Sequence, residues 1–210
     1  MSKLAEVVDL VERGKSKLVG AAVQGALDEG TPATEILNGM IDAMAVVGER
    51  FKNNEIFVPE MLVAARAMKK GVEVLKPHLA SGSTATNGKV IIGTVAGDLH
   101  DIGKNLVSMM IESAGFEVTD LGVDVAPEKF VEAVKADPEV KIVCLSALLT
   151  TTMPAMKTTV EALSAQDFRG SIKIMVGGAP ITQAFADEIG ADAYTADAAS
   201  AAQKAKELAA

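Results

Sequence analysis

The sequence predicts two domains, a four-helix bundle followed by a doubly wound α/β domain with a parallel sheet. Three observations carry that expectation. Apolar residues recur at spacings of three and four through the first part of the chain, and short Val- and Ile-rich runs alternate with helical patterns in the second. Between them lies the small, polar, turn-forming stretch Ser81-Gly-Ser-Thr-Ala-Thr-Asn-Gly88. The expected boundaries are 1–80 for the bundle, 81–88 for a linker and 89–210 for the α/β domain.

In the first domain, helices are expected over 4–11 and 15–27, the second ended by Gly30 as a glycine beyond the cap. Thr31-Pro32 supplies a cap and a first-turn proline for a third helix, with Glu35 placed where the helix dipole favours a carboxylate. Ile36, Leu37, Met40, Met44 and Val47 continue its stripe until it fades near Lys52-Asn53-Asn54. From Phe57 a fourth helix carries Met61, Leu62, Ala65, Met68, Val72, Leu75 and Leu79 on one face.

In the second domain, buried strands are expected over 89–95, 117–121, 141–145 and 172–176, with a short fifth ahead of Tyr194. Helical patterns over 104–114, 127–136, 154–165, 182–189 and 198–208 serve as crossovers. In such a fold, ligands bind at the carboxyl ends of the strands.

Composition narrows the function. Lys plus Arg number 20 and Asp plus Glu 28, so 20 − 28 = −8, which offers no basic surface for nucleic acid. No apolar run approaches the roughly 20 residues that cross a bilayer, so no membrane role is expected. A lone cysteine, Cys144, and the absence of a signal-peptide core read as cytoplasmic. Cys144 lies in an apolar strand and reads as packing.

The chemistry gathers in Gly93-Thr-Val-Ala-Gly97-Asp98-Leu99-His100-Asp101-Ile102-Gly103-Lys104-Asn105, directly after the first strand. Taken alone, Asp-x-His also suits helix capping and surface polarity. In an extended stretch, however, Asp98 and His100 point the same way, so the carboxylate accepts from one imidazole nitrogen and leaves the other for a metal. The third strand delivers Ser146 to the same sheet edge, and Gly177-Gly178 after the fourth admits a ligand close to the backbone.

Asp98-x-His100-x-x-Gly103, Ser146-x-Leu148 and Gly177-Gly178 together resemble the signature of cobalamin-binding domains of the methionine synthase type. The preceding helices, including Phe57-Val-Pro-Glu60-Met61 and Ala64-Ala-Arg-Ala-Met68, are similar to that family's helical cap module. The whole resembles the small corrinoid proteins of anaerobic methyltransferase systems. The resemblance implies a flavodoxin- or Rossmann-like sheet and a cobalamin or related corrinoid bound base-off/His-on, with His100 as lower axial cobalt ligand. Asp98 would hold the far nitrogen, and Ser146 would hydrogen-bond Asp98. Gly103, Gly177 and Gly178 would let the nucleotide tail thread through, beside Asp101, Ile102 and Leu148. Thr150, and Tyr194, Thr195 and Ala196 in the stretch after the last short strand, would be further tail or base contacts. Phe57, Met61, Leu62 and Met68 would cover the upper corrin face.

The function so implied is methyl carriage. One substrate-specific methyltransferase would load Co(I), and an acceptor methyltransferase would unload methyl-Co(III) to tetrahydrofolate or a thiol. A reductive activation protein would rescue Co(II), and the chain would catalyse nothing on its own. A cobalamin-dependent regulator and the small subunit of a carbon-skeleton mutase are the alternatives.

Overall fold

The computed structural model describes residues 2–79 and 87–210. The expected linker therefore lies, over 81–86, outside the described residues. The chain divides into two compact units, one holding the helices up to residue 79 and the other holding the chain from Asn87 apart from 113–115.

The first unit is a four-helix bundle of α1 (Lys3–Glu12), α2 (Val19–Asp28), α3 (Ala33–Lys52) and α4 (Val58–Leu75). The apolar stripes meet in a core that includes Val7, Val23, Ile36, Met40, Met61 and Leu75, all buried. Gly30, at φ +87, closes α2 as expected. Two starts differ from the expectation. Residues 15–18 form a turn, with the amides of Leu18 and Val19 donating to the Lys15 carbonyl, so α2 begins at Val19. Pro32 caps α3 from outside rather than occupying its first turn, because its extended ψ of 137° precludes helix while its carbonyl accepts from Glu35 and Ile36. Glu60 reaches back to the Phe57 amide at 3.0 Å and fixes the start of α4.

The second unit alternates β1 (Gly88–Thr94), α5 (Ile102–Ser113), β2 (Phe116–Asp120), α6 (Pro127–Ala136), β3 (Val140–Ser146), α7 (Met153–Ser164), β4 (Lys173–Gly177), α8 (Gln183–Ile189), β5 (Ala193–Tyr194) and α9 (Ala198–Ala209). All pairings are parallel, in the order β2-β1-β3-β4-β5, which is the flavodoxin-like doubly wound arrangement. Ile91, Val143, Leu145, Ile174 and Val176 pack with Phe130, Val134, Met156, Val160 and Ala186 from α6, α7 and α8. Alternate residues such as Ile92, Ile142, Cys144 and Met175 are buried on the opposite face. With both faces covered, only the strand ends remain for a ligand.

Strand order places the switch point between β1 and β3. Register then aligns the ends, since Thr94 pairs with Ser146, and Ser146 with Gly177. Three loops consequently leave the sheet from one row.

Candidate functional site

Asp98 is the centre of the β1–α5 loop. It is completely buried, a position a carboxylate occupies only when its oxygens are satisfied. Its Oδ1 accepts from the His100 amide at 3.1 Å and pairs with His100 Nδ1 at 2.6 Å. Its Oδ2 accepts from the Leu148 amide at 2.7 Å and from Thr152 Oγ1 at 2.8 Å. Burial pushes the carboxyl upward, but the Leu148 amide, the His100 ring, the Thr152 hydroxyl and the His100 amide outweigh it and hold the group well below the ordinary carboxylate range. Asp98 is therefore an anion that only accepts.

That fixes the imidazole. Nδ1 must carry the proton, so in the neutral ring Nε2 carries the lone pair. The His100 side chain is 49% exposed, which leaves Nε2 available to an incoming metal. The carboxylate behind Nδ1 holds the ring's orientation.

Among the described residues no group of three or more His, Cys, Asp and Glu side chains is arranged to hold a metal ion. One oriented imidazole suits a metal that brings its other donors with it, as cobalt in a corrin ring does. The surroundings suit a flat apolar ring as well. Leu99 and Ile102, on either side of His100, are 72% and 85% exposed, and Leu148 and Leu149 also show large surface.

Gly178 lines the β4 side. Its φ is +129, and a Cβ there would lie 1.8 Å from the Ala147 carbonyl oxygen, so the β3 and β4 loops approach at a spacing only glycine permits. Gly177 stands beside the Thr195 carbonyl, with its own Cβ position 3.3 Å from that oxygen.

The structure brings Asp98, His100, Ser146, Leu148, Gly177 and Gly178 to one sheet edge. Three expectations are corrected. The hydroxyl on Asp98 belongs to Thr152, not Ser146, because a single-turn 3-10 helix over Thr150–Thr152 folds back beneath the carboxylate. Ile102 and Gly103 belong to the first turn of α5, which starts two residues earlier than expected as the Asn105 amide finds the Asp101 carbonyl. Tyr194 lies within β5, paired with Val176, and does not follow the strand.

Other placements are plainer. Asp101 and Thr150 are exposed, Thr195 is half-buried and Ala196 is exposed. In the bundle Met61 and Met68 are buried, Leu62 is half-buried and Phe57 is 62% exposed.

Sequence reasoning missed Thr152. Thr152 stands in a run of three threonines, and nothing local distinguishes which hydroxyl meets a partner 54 positions earlier.

Both units of the chain resemble known proteins. The chain matches a family described as "B12 binding domain" over residues 88–205, and a second of the same description over 4–76. Dimethylamine corrinoid protein 1 of Methanosarcina acetivorans is 45% identical over 206 residues, covering 98% of this chain and 96% of the relative. A cobalamin-binding protein from Desulfitobacterium hafniense superposes with a TM-score of 0.82 at 32% identity, covering 98% of both chains. In the methanol:cobalamin methyltransferase complex MtaBC from Methanosarcina barkeri, a chain matches with a TM-score of 0.84 at 28% identity, covering 99% of this chain and 79% of that one.

Proposed function

The chain belongs to the B12-binding family of corrinoid proteins, and from that premise we propose that it is a methyl carrier working between methyltransferases. The observation that carries the reading is the Asp98–His100 pair, an imidazole held through Nδ1 on a half-exposed side chain at the switch point of the sheet. When bound, the corrinoid supplies a cobalt centre able to take up a methyl group and release it.

His100 would occupy the lower axial position, with the cofactor's own base displaced. Asp98 would keep Nδ1 protonated and adjust how strongly the ring donates. Gly177 and Gly178 would leave room for the nucleotide tail, with Gly103 in the first turn of α5 and Thr150, Tyr194, Thr195 and Ala196 along its course. Leu99, Ile102 and Leu148 would exclude water from the lower face.

The donor enzyme would be a methylamine methyltransferase, supported by the 45% identity to a dimethylamine corrinoid protein against 28% to the methanol system. A second methyltransferase would serve a thiol or tetrahydrofolate acceptor, and a reductive activation protein would return Co(II) to service. No catalytic residue is assigned, because loading and unloading belong to the partners.

Mixing reduced holoprotein with a methylamine tests this reading. The visible spectrum should change only when a methylamine methyltransferase is added. Methyl uptake by the holoprotein alone, or none with the enzyme present, would contradict it.

A further inference from the structure

His100 is gripped by its backbone as well as its ring. Its carbonyl accepts a hydrogen bond from Thr94 Oγ1 at 2.9 Å, and Thr94, the last residue of β1, is completely buried. The backbone of Thr94 is already engaged: its amide donates to the Gly122 carbonyl and its own carbonyl accepts from Val125. A β-branched apolar residue would fit that strand position equally well. Only the hydroxyl distinguishes threonine there, and its hydrogen bond goes to the residue that presents the metal-ligating nitrogen.

A second grip comes from the neighbouring loop. Asp124 Oδ1 accepts from the Gly97 amide at 2.7 Å, and the Asp124 amide donates to the Asp98 carbonyl at 2.9 Å. Asp124 does this at φ +52, a left-handed conformation that non-glycine residues hold only where surrounding bonds enforce it, although Asp tolerates it better than most. The residue is exposed, so no packing requirement explains the conformation. The two bonds hold the Gly97 amide and the Asp98 carbonyl, with Leu99 alone between them and His100.

We propose that Thr94 and Asp124 are positioning residues that clasp the 95–101 loop from the strand beneath and from the β2–α6 loop. They thereby set the height and orientation of His100 Nε2 before the cofactor arrives. This rests on the reading of His100 as the axial cobalt ligand. Neither residue touches the cofactor in the proposal. Both act by reducing the freedom His100 would otherwise lose on coordinating.

The test uses Co(II) holoprotein and electron paramagnetic resonance, in which one axial ¹⁴N splits each cobalt line into three and an axial ¹⁵N into two. Titrating ¹⁵N-imidazole measures how readily His100 is displaced. With Thr94→Val the displacing concentration should fall about 10-fold or more, within the 10–100-fold range of partners that orient a metal ligand. Thr94→Ser, which keeps the hydroxyl, should titrate like wild type. Asp124→Gly, which suits the backbone but removes the acceptor, should shift in the same direction as Thr94→Val. Equal shifts in the Val and Ser variants would trace the effect to packing and overturn the proposal. Wild-type titration in both Thr94→Val and Asp124→Gly would overturn it while leaving His100 coordination standing. Absence of nitrogen splitting from His100 in the wild type would overturn the coordination reading, and this inference with it.

Discussion

On the β1 side of the sheet edge, the loop beyond Thr94 is crowded with side-chain hydrogen bonds, four of them converging on the buried Asp98. On the β4 side, beyond Val176, the chain has two consecutive glycines, and at Gly178 even a methyl group would collide with the Ala147 carbonyl. The loop after β3 touches both, lending the Leu148 amide and the Thr152 hydroxyl to Asp98 and the Ala147 backbone to Gly178. One wall is made by placing groups, the other by leaving them out. Precise orientation of a donor atom needs a satisfied polar network, whereas close approach of a large ligand to backbone needs missing side chains. The same edge supplies both because β1, β3 and β4 end in register.

The contrast can be broken most severely at Gly178. In Gly178→Ala the backbone conformation alone costs about 1–3 kcal/mol, and relieving the 1.8 Å approach to Ala147 must part the β3 and β4 loops. Denaturant unfolding should show the loss, and corrinoid retention should drop, while the cofactor that does bind keeps its His100 nitrogen splitting. Wild-type stability and retention would mean that this wall does not depend on absent atoms.

Asp98→Asn attacks the other wall. Replacing one accepting oxygen by an NH2 donor sets donor against donor beside His100 or Leu148, and should weaken the hold of His100 on cobalt about 10–100-fold, seen as easier displacement of the ring by added imidazole. A protein that loses most of its corrinoid but resists displacement in the fraction still bound would reverse the roles given to the two sides.

Gly103→Ala sharpens the distinction between glycines. Nothing lies within 4 Å of a Cβ at Gly103, and its place in the first turn of α5 suits alanine. The cofactor-free protein should gain up to about 0.5–1 kcal/mol, measured by thermal unfolding, while corrinoid affinity falls. Unchanged affinity would remove Gly103 from the path of the nucleotide tail.

The smallest effect is at Cys144, two residues short of the row of strand ends. Burial pushes its thiol up to about 12. The folded protein therefore keeps it protonated where an unfolded chain, with a thiol pKa of about 8.5, has begun to ionise. Its contribution to stability is present below the unfolded value and declines as pH rises past it. A thiol reagent at pH 8 should label Cys144 only as denaturant unfolds the unit. Labelling under native conditions would show that β3 opens locally and that its end is not a rigid platform.

Much of this architecture was legible in the residues. The Val and Ile runs marked β1, β3 and β4 because strands buried on both faces need continuous apolar character, and Pro127 and Ala136 bounded α6 to the residue. The pair Asp98 and His100 is legible from its two-residue spacing together with its place after β1 and the Ser146 and glycine ends of β3 and β4. Helix starts at Val19 and Ala33 were not, since each depends on turn hydrogen bonds that carry no side-chain signature. The resemblance implies Ser146 as the hydroxyl on Asp98, and no local signal points past the strand end to Thr152. Thr152 reaches its partner only after a 3-10 turn reverses the chain. Asp124 was hidden for a similar reason, as its left-handed backbone gives no sign in composition.

The account turns on a bond from His100 to cobalt. Holoprotein in the Co(II) state, grown once with ordinary histidine and once with ¹⁵N-histidine, measures it directly by paramagnetic resonance. Each cobalt line should change from a three-line to a two-line pattern on labelling, and His100→Ala should erase the change. A pattern indifferent to the histidine isotope would place another nitrogen under the metal and contradict the role given to His100.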